Sequence, residues 1–315
     1  MVPVCPWGEW DLWAAARLGR FARQNGVSLL HAHTGHAVGL GALAVWRTAI
    51  PLVATRRVDF PLGSGFFSQW KYRRLGALAV LSTAIRRVAL EGGIPENKII
   101  VIPSGIDPAG YPRVEDRDLL RLKYGFSKED QLIVNVGALV PHKDQATFLR
   151  AAAQVALTFP KSKFVILGEG PLRKELEALA EKLGLNDRVF LLGHRPEVLE
   201  YVAMADLFVF SSVEEGLGST LLDAFVIGVP TVATAAGGIP DLYGGSAAPE
   251  LSAPRDARSL ADNMRRVLSH PEERALRAGR GRERGRLFSV QAMGDAYEKF
   301  YDLQQPKYLS RRADA

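Results

Sequence analysis

The sequence predicts an α/β protein whose parallel strands are covered by helices on both faces, and three observations lead to that reading. Short apolar runs alternate with segments of helical period. Leu132 to Val136, Phe164 to Leu167, Val189 to Leu192, Leu207 to Phe210 and Thr231 to Ala233 read as strands. Helices fall between them at Asp144 to Leu157, Pro171 to Leu183, Pro196 to Met204 and Ser219 to Ile227. The chain has 315 residues and is 47% hydrophobic, enough for two ordinary cores, so two domains are expected. Residues 108 to 130 are polar, read as a linker with one short helix, and mark the boundary. In such folds ligands bind at the carboxyl ends of the strands, and each motif of interest in the second half lies at such an end.

Upstream of the boundary, Trp10, Trp13, Ala14, Leu18 and Phe21 recur at helical spacing, which predicts an amphipathic helix over residues 9 to 24. Val27 to His31 reads as a strand, followed by Ala32-His33-Thr34-Gly35-His36 and a helix of small residues to about Thr48. Leu52 to Thr55 is the next strand. Residues 56 to 70 lack periodicity and are expected to be a long connection, a candidate for contact with an acceptor. The basic segment Lys71-Tyr72-Arg73-Arg74 precedes a strand at Ala79 to Ser82 and a helix at Thr83 to Glu91. Ile99 to Ile102 is a further strand, and Pro103 to Asp107 a turn. Asp256 to Leu268, Glu272 to Arg286 and Val290 to Gln304 read as three final helices.

Charge and composition narrow the function. A net charge of +6 gives mild attraction to nucleotides, lipid head groups or nucleic acid. The single Cys5 excludes an internal disulfide framework and a cysteine-based zinc site. Met1 to Asp11 carries Glu9 and Asp11 with no basic start, unlike a signal peptide, and no run of 18 apolar residues occurs. A cytoplasmic protein is expected, at most peripheral on the inner face of a membrane, with Lys71 to Arg74, Arg86 and Arg87 as the basic surface for such contact. Six arginines between Arg274 and Arg286 could suggest nucleic acid. Glu272, Glu273 and Glu283 interrupt them and no aromatic residue intervenes before Phe288, so a solvated helix face is the better reading and no nucleic-acid partner is expected. P-loop, serine-hydrolase and zincin motifs are absent.

The richest stretch runs from Ser211 to Phe225. A strand delivers Glu215-Gly216-Leu217-Gly218 to a helix opening at Ser219 and Thr220, and at such an end unpaired amides and the helix dipole favour phosphate. Asp223 follows Glu215 by eight residues, about one turn inside the helix. One acid could hold a sugar and the other a ribose, with phosphates between them. The alternative is a tight turn with solvated acids, in which Ser212-x-x-Glu215 is a capping box. Other loops add weaker signals: Val136 to Asp144 with Lys143 as a point charge for diphosphate, Gly168-Glu169-Gly170-Pro171, Gly193-His194-Arg195-Pro196, and Gly237-Gly238-Ile239-Pro240. His31 and His33 share one side of a strand, which admits a metal site, although no acidic third ligand stands near and a core histidine is the competing reading.

Together these loops resemble, in order, the nucleotide-sugar domain of glycosyltransferase family 4, retaining enzymes with the GT-B fold. The resemblance spans about residues 27 to 305. It implies two Rossmann-like doubly wound domains: residues 1–110 on the acceptor side, residues 111–288 binding the nucleotide sugar, and residues 289–315 carrying a helix that crosses back before a tail. Glu215 would take the first place of the family's Glu-x7-Glu signature and Asp223 the second, with His33 reaching the transferred sugar. Lys143, Ser219 and Thr220 would meet the diphosphate, Gly216, Leu217 and Gly218 the sugar through their backbone, and His194 and Arg195 the base.

Two positions depart from the pattern: Ala138 stands where an arginine is usual, and Asp223 is one methylene, about 1.5 Å, shorter than Glu. Members also open with a strand, a glycine-rich loop and a helix before the His-x-His segment, so the N-terminal domain is expected to be incomplete, with exposed strand edges that a partner chain or second copy would cover. The implied activity is transfer of a hexose from a UDP- or GDP-sugar to a glycan or lipid-linked, lipopolysaccharide-like acceptor, with no metal or other cofactor. A catalytically weak nucleotide-binding module and another GT-B activity, a phosphorylase or epimerase, are the alternatives.

Overall fold

The computed structural model describes residues 7–111 and 116–304, so Cys5 and the end of the tail lie outside the described residues. The chain divides into two compact units, Met1–Pro103 with Gln291–Ala315, and Ser104–Val290. In the first, the chain forms α1 (Leu12–Gln24), β1 (Leu30–Ala32), α2 (Gly35–Ala44), β2 (Leu52–Arg56), α3 (Phe66–Arg73), β3 (Ala77–Val80), α4 (Thr83–Glu91) and β4 (Ile99–Val101). The strands make one parallel sheet in the order β1-β2-β3-β4, with Leu30 opposite Leu52, Val53 opposite Ala77 and Leu78 opposite Ile99. Asp11, Thr34 and Ser82 fix three helix starts, each accepting a hydrogen bond from an amide in the first turn.

Three readings of this unit are corrected. The aromatic stripe of α1 faces outward: Trp13 is 85% exposed, whereas Ala14, Ala15, Gly19 and Ala22 are buried. Small residues let α1 lie close against α2, which tryptophans in the same seam would hold apart. The end of the expected irregular connection, residues 66–70, and the first residues of the basic segment form α3, where Phe67 stacks on Trp70 at 5.2 Å and Trp46 meets Trp70 at 5.3 Å. Such tertiary partners leave no periodic trace. Lys71 is buried, paired with Glu9 and donating to the Gly35 carbonyl at 3.0 Å, while Arg74 lies over Trp46 and Trp70 and Arg86 pairs with Glu96. Three of the five basic side chains of the expected membrane surface are thus engaged within the protein.

The second unit continues with α5 (Arg117–Lys123), β5 (Gln131–Val136), α6 (Gln145–Ala156), β6 (Ser162–Leu167), α7 (Arg173–Lys182), β7 (Val189–Gly193), α8 (Val198–Ala203), β8 (Leu207–Phe210) and α9 (Ser219–Ile227). It closes with β9 (Thr231–Thr234), α10 (Ile239–Tyr243), β10 (Leu251–Ser252), α11 (Ala257–Ser269) and α12 (Pro271–Arg286). The six strands are parallel in the order β10-β9-β8-β5-β6-β7. Strand order reverses between β5 and β8, which opens a crevice at their carboxyl ends. On one face Phe148, Leu149, Leu176, Leu260 and Met264 of α6, α7 and α11 pack onto Ile133, Phe164, Ile166 and Val209; α8, α9 and α12 contact strands from the other. Both α10 and β10 are too short to show a period in sequence.

Charged side chains bind this unit together where a linker and a solvated face were expected. Arg121 on α5 is buried, donating through Nη2 to the Met204 carbonyl and to Asp206 Oδ2, each at 2.8 Å, and the same Asp206 oxygen accepts from the Leu132 amide at 2.8 Å. The stretch from residue 116 is therefore docked. On α12, Arg277 is 1% exposed and donates to Glu273, Arg280 pairs with Glu250, Arg284 donates to the Asp241 and Leu242 carbonyls, and Arg282 and Arg274 reach the Gly228 and Leu268 carbonyls. Arg277 pairs within α12, and the other four hold the helix to its neighbours.

The last helix, α13 (Val290–Asp302), supplies Phe300, Tyr297 and Tyr301 to the core formed with Val53, Ala77, Ala79 and Ile102 in the first unit. His31 sits in this layer, Nδ1 2.7 Å from Tyr301 Oη and Nε2 2.8 Å from Thr55 Oγ1, which in turn lies 2.8 Å from Tyr297 Oη. Both ring nitrogens of His31 are engaged by hydroxyls, as the core-histidine reading expects. Among the described residues no helix is long and apolar enough to cross a membrane.

Two predictions follow from this packing. Asp206→Ala leaves Arg121 buried without its carboxylate and should cost about 3 kcal/mol or more in urea unfolding, whereas Arg117→Ala, on the exposed side of the same cluster, should cost under about 1 kcal/mol. Burial, and to a lesser extent His33, push the His31 pKa down to about 4. A histidine with a depressed folded pKa binds fewer protons folded than unfolded, so its contribution to stability is complete above pH 6.5 or so and is lost as pH falls toward 4. His31→Gln should flatten this acid limb in melting temperature against pH; an unchanged limb would refute the assignment.

Candidate active site

The crevice between β5 and β8 is built by loops that clasp one another. Gly137 N donates to the Leu167 carbonyl, Gly168 N to the Gly193 carbonyl and Leu139 N to the Glu169 carbonyl, each at 2.9 Å, so the ends of β5, β6 and β7 are tied together. Gly168, at φ 140°, lies so close to the loop after β5 that a Cβ would stand 2.0 Å from the Gly137 oxygen. A side chain there is excluded. Gly137, Ala138, Gly168, Glu169, His194, Arg195 and Val198 line a cavity of about 420 Å³. His194 and Arg195, predicted to lie by the base, are thus brought together with the loop after β5.

The loop after β8 holds the acids. Val213 N donates to the His142 carbonyl at 2.8 Å and Ser211 Oγ to the Lys143 carbonyl at 3.0 Å, which places Lys143 beside the β8 loop. Its ammonium pairs with Glu215 and lies 5.1 Å from the centre of the Phe210 ring. The next residue, Asp144, adopts φ 44°, a left-handed conformation rare for a side chain, and caps α6 by accepting from Thr147 N at 3.2 Å. From the other side Gly238 N donates to the Glu215 carbonyl at 2.8 Å, and a Cβ on Gly237 would lie 2.0 Å from that oxygen. Glu215 is therefore clamped at both its backbone and its side chain.

The capping-box alternative is excluded, because α9 begins at Ser219 with Gly218 as its N-cap, six residues past Ser212, which a capping box would make the N-cap. Ser212 Oγ instead lies 3.4 Å from Glu215 Oε2. No side chain caps α9, so its positive end is left to an anion. Gly218 is buried at φ 91°, with Leu221 and Ile239 around it, and makes the left-handed turn into the helix; Gly216 is half-buried. Leu217 is buried, and Ser219 and Thr220 open the helix.

Asp223 sits on α9, half-buried, and Tyr111 Oη donates to its Oδ1 at 2.6 Å. Burial pushes the Asp223 carboxyl pKa up, and the Tyr111 hydrogen bond pulls it back. Tyr111 was beyond sequence reasoning, since 112 positions separate it from Asp223 and only the fold joins them. His33 belongs to the first unit, exposed just past β1, with its ring 4.1 Å from that of His31. Asp116-Arg117-Asp118 has the Asp-x-Asp spacing of some metal sites, but Asp116 is the N-cap of α5, accepting from Asp118 N at 2.8 Å and Leu119 N at 3.0 Å. Among the described residues no three His, Cys, Asp or Glu side chains gather as metal ligands.

Comparison with known proteins agrees with this architecture. Residues 116–284 match the model of the family described as glycosyl transferases group 1, and residues 2–109 that of glycosyltransferase family 4. The chain is 30% identical to 2-deoxystreptamine glucosyltransferase of Streptomyces kanamyceticus over 76% of its own length and 62% of that protein. It is 31% identical to the lipopolysaccharide core biosynthesis glycosyltransferase LpsD of Rhizobium meliloti over 54% of its own length, spanning 49% of that relative. The chain thus spans less than two thirds of either relative. The crystal structure of Anabaena Alr3699/HepE in complex with UDP superposes with a TM-score of 0.81 at 23% identity, covering 92% of this chain and 82% of that one. With more than half of its residues within one family model and a GT-B-like pair of parallel sheets, the chain belongs to the group 1 glycosyl transferases.

Proposed function

We propose that this protein transfers a hexose, with retention at the anomeric carbon, from a nucleoside-diphosphate sugar to a glycan or lipid-linked acceptor. The observation that carries the reading is the Lys143–Glu215 pair beside the uncapped start of α9, at the point where strand order reverses. A cation, a helix N-terminus and a clamped carboxylate are what a sugar diphosphate requires in one place. On donor binding the diphosphate takes Lys143 and the amides of Ser219 and Thr220, and Glu215 is freed to accept hydrogen bonds from the sugar. Asp223 holds the ribose, and His194 and Arg195 lie at the base. The bond from the anomeric carbon to the diphosphate breaks toward an oxocarbenium-like centre, and the acceptor oxygen bonds to the same face while its proton passes to the departing phosphate. His33 is assigned to the transferred sugar on family resemblance.

The relatives supply the substrate classes: one is named a glucosyltransferase, one acts in lipopolysaccharide core biosynthesis, and the Anabaena protein has been crystallised with UDP-glucose. UDP-hexoses are accordingly the first donors to test. Exposed Ala138 supplies no charge to the leaving group, so Lys143 and the helix amides carry that load.

Thermal stability of the purified chain should rise with one of UDP, GDP or ADP, by about 2.7 kcal/mol at 100 times the dissociation constant. Absence of any shift in a folded sample would refute donor binding. Glu215→Gln should reduce transfer by about 10² to 10³ while nucleotide binding stays near wild type. Lys143→Ala should weaken diphosphate binding by roughly tenfold or more, read by calorimetry. Release of free sugar phosphate or an epimerised donor would replace transfer by a phosphorylase or epimerase activity.

A further inference from the structure

Asp223 has a partner whose placement is built into the fold. The 2.6 Å hydrogen bond from Tyr111 is at the distance of a charge-assisted bond between a hydroxyl and a carboxylate. Tyr111 is carried by a fixed segment. Ile106 forms a parallel bridge with Ser289, its amide donating to the Phe288 carbonyl at 2.8 Å and its carbonyl accepting from Val290 N at 3.0 Å. Asp107 then caps the turn at Pro108–Gly110, accepting from Ala109 N at 3.0 Å. The tyrosine is thereby anchored from the end of α12, in the same unit as Asp223. Burial pushes its own hydroxyl pKa up, with the bond to Asp223 adding to the shift, so the hydroxyl stays protonated and able to donate.

A phenol has one proton to donate and two lone pairs to accept with. Tyr111 spends its proton on Asp223 Oδ1, which leaves its lone pairs and the carboxylate's Oδ2 as two acceptors on neighbouring groups. A ribose presents two adjacent hydroxyl donors. We infer that Tyr111 is a specificity-determining residue for the donor's ribose: it positions the Asp223 carboxylate and shares the ribose diol with it, supplying the reach that Asp lacks relative to Glu. This rests on the donor-site reading above. In the competing account the bond merely ties residues 104–111 to α9.

The two accounts differ in what Tyr111→Phe does to ligands with and without ribose hydroxyls. Calorimetry on the full chain would compare UDP with 2′,3′-dideoxy-UDP, or the corresponding guanosine pair if GDP gives the thermal shift. Wild type should favour the ribonucleotide, and Tyr111→Phe should weaken it about tenfold while leaving the dideoxy form unchanged. Asp223→Glu in the Tyr111→Phe background should restore discrimination, because the longer acid supplies the missing reach; if Tyr111→Phe does not fold, Tyr111→Leu, which also removes the hydroxyl, carries the same comparison. Equal loss of both ligands, or no loss of either, would overturn the role of Tyr111 while leaving the donor site standing. A wild-type protein that binds neither diphosphate, or binds ribose and dideoxyribose forms equally, would overturn the donor-site reading and this inference with it.

Discussion

Where β5 and β8 lie side by side, the chain leaves each strand toward a different half of the sheet, and the gap between those departures is the constraint on which the site depends. Two loops must cross the gap without side chains in the way. Gly168 and Gly237 permit it by close backbone contact, with neighbouring carbonyls where a Cβ would stand. Once the loops are so placed, Lys143 and Glu215, 72 positions apart, become neighbours. Their pairing satisfies two charges that the crevice would otherwise leave exposed to each other's absence of partners, and it sets both beside the open end of α9.

The remaining charges follow a different logic. Arg121, Arg280 and Arg284 are spent on carbonyls and carboxylates inside the second unit, holding α5 and α12 to their neighbours, while Arg277 is spent on Glu273 within α12. Net positive charge in the sequence therefore overstates the positive surface, since a guanidinium with several donors can be consumed by the backbone. In the first unit Lys71 and Arg74 are engaged likewise. At Lys143 the positive charge is likewise paired, with Glu215.

Much of the fold was legible. The apolar runs at 132–136, 164–167 and 207–210 became β5, β6 and β8 within a residue or two, because a strand buried on both faces leaves an unbroken apolar signature. The start of α9 was legible from Gly218 and Ser219. Less visible were the outward turn of Trp13 and the helix at 66–73. Periodicity reports that a helix has two faces, but which face a neighbour covers depends on how close that neighbour's backbone can come.

The sequence by itself determined the alternation of strand and helix, the glycines at strand ends and the acids at Glu215 and Asp223, since these are local properties of spacing and of backbone freedom. Only the tertiary structure decided that Lys143 meets Glu215, that Tyr111 meets Asp223, and that His31 meets Tyr301 and Thr55. Those contacts join residues far apart in the chain, and their partners are selected by strand order and packing, which no window of sequence contains.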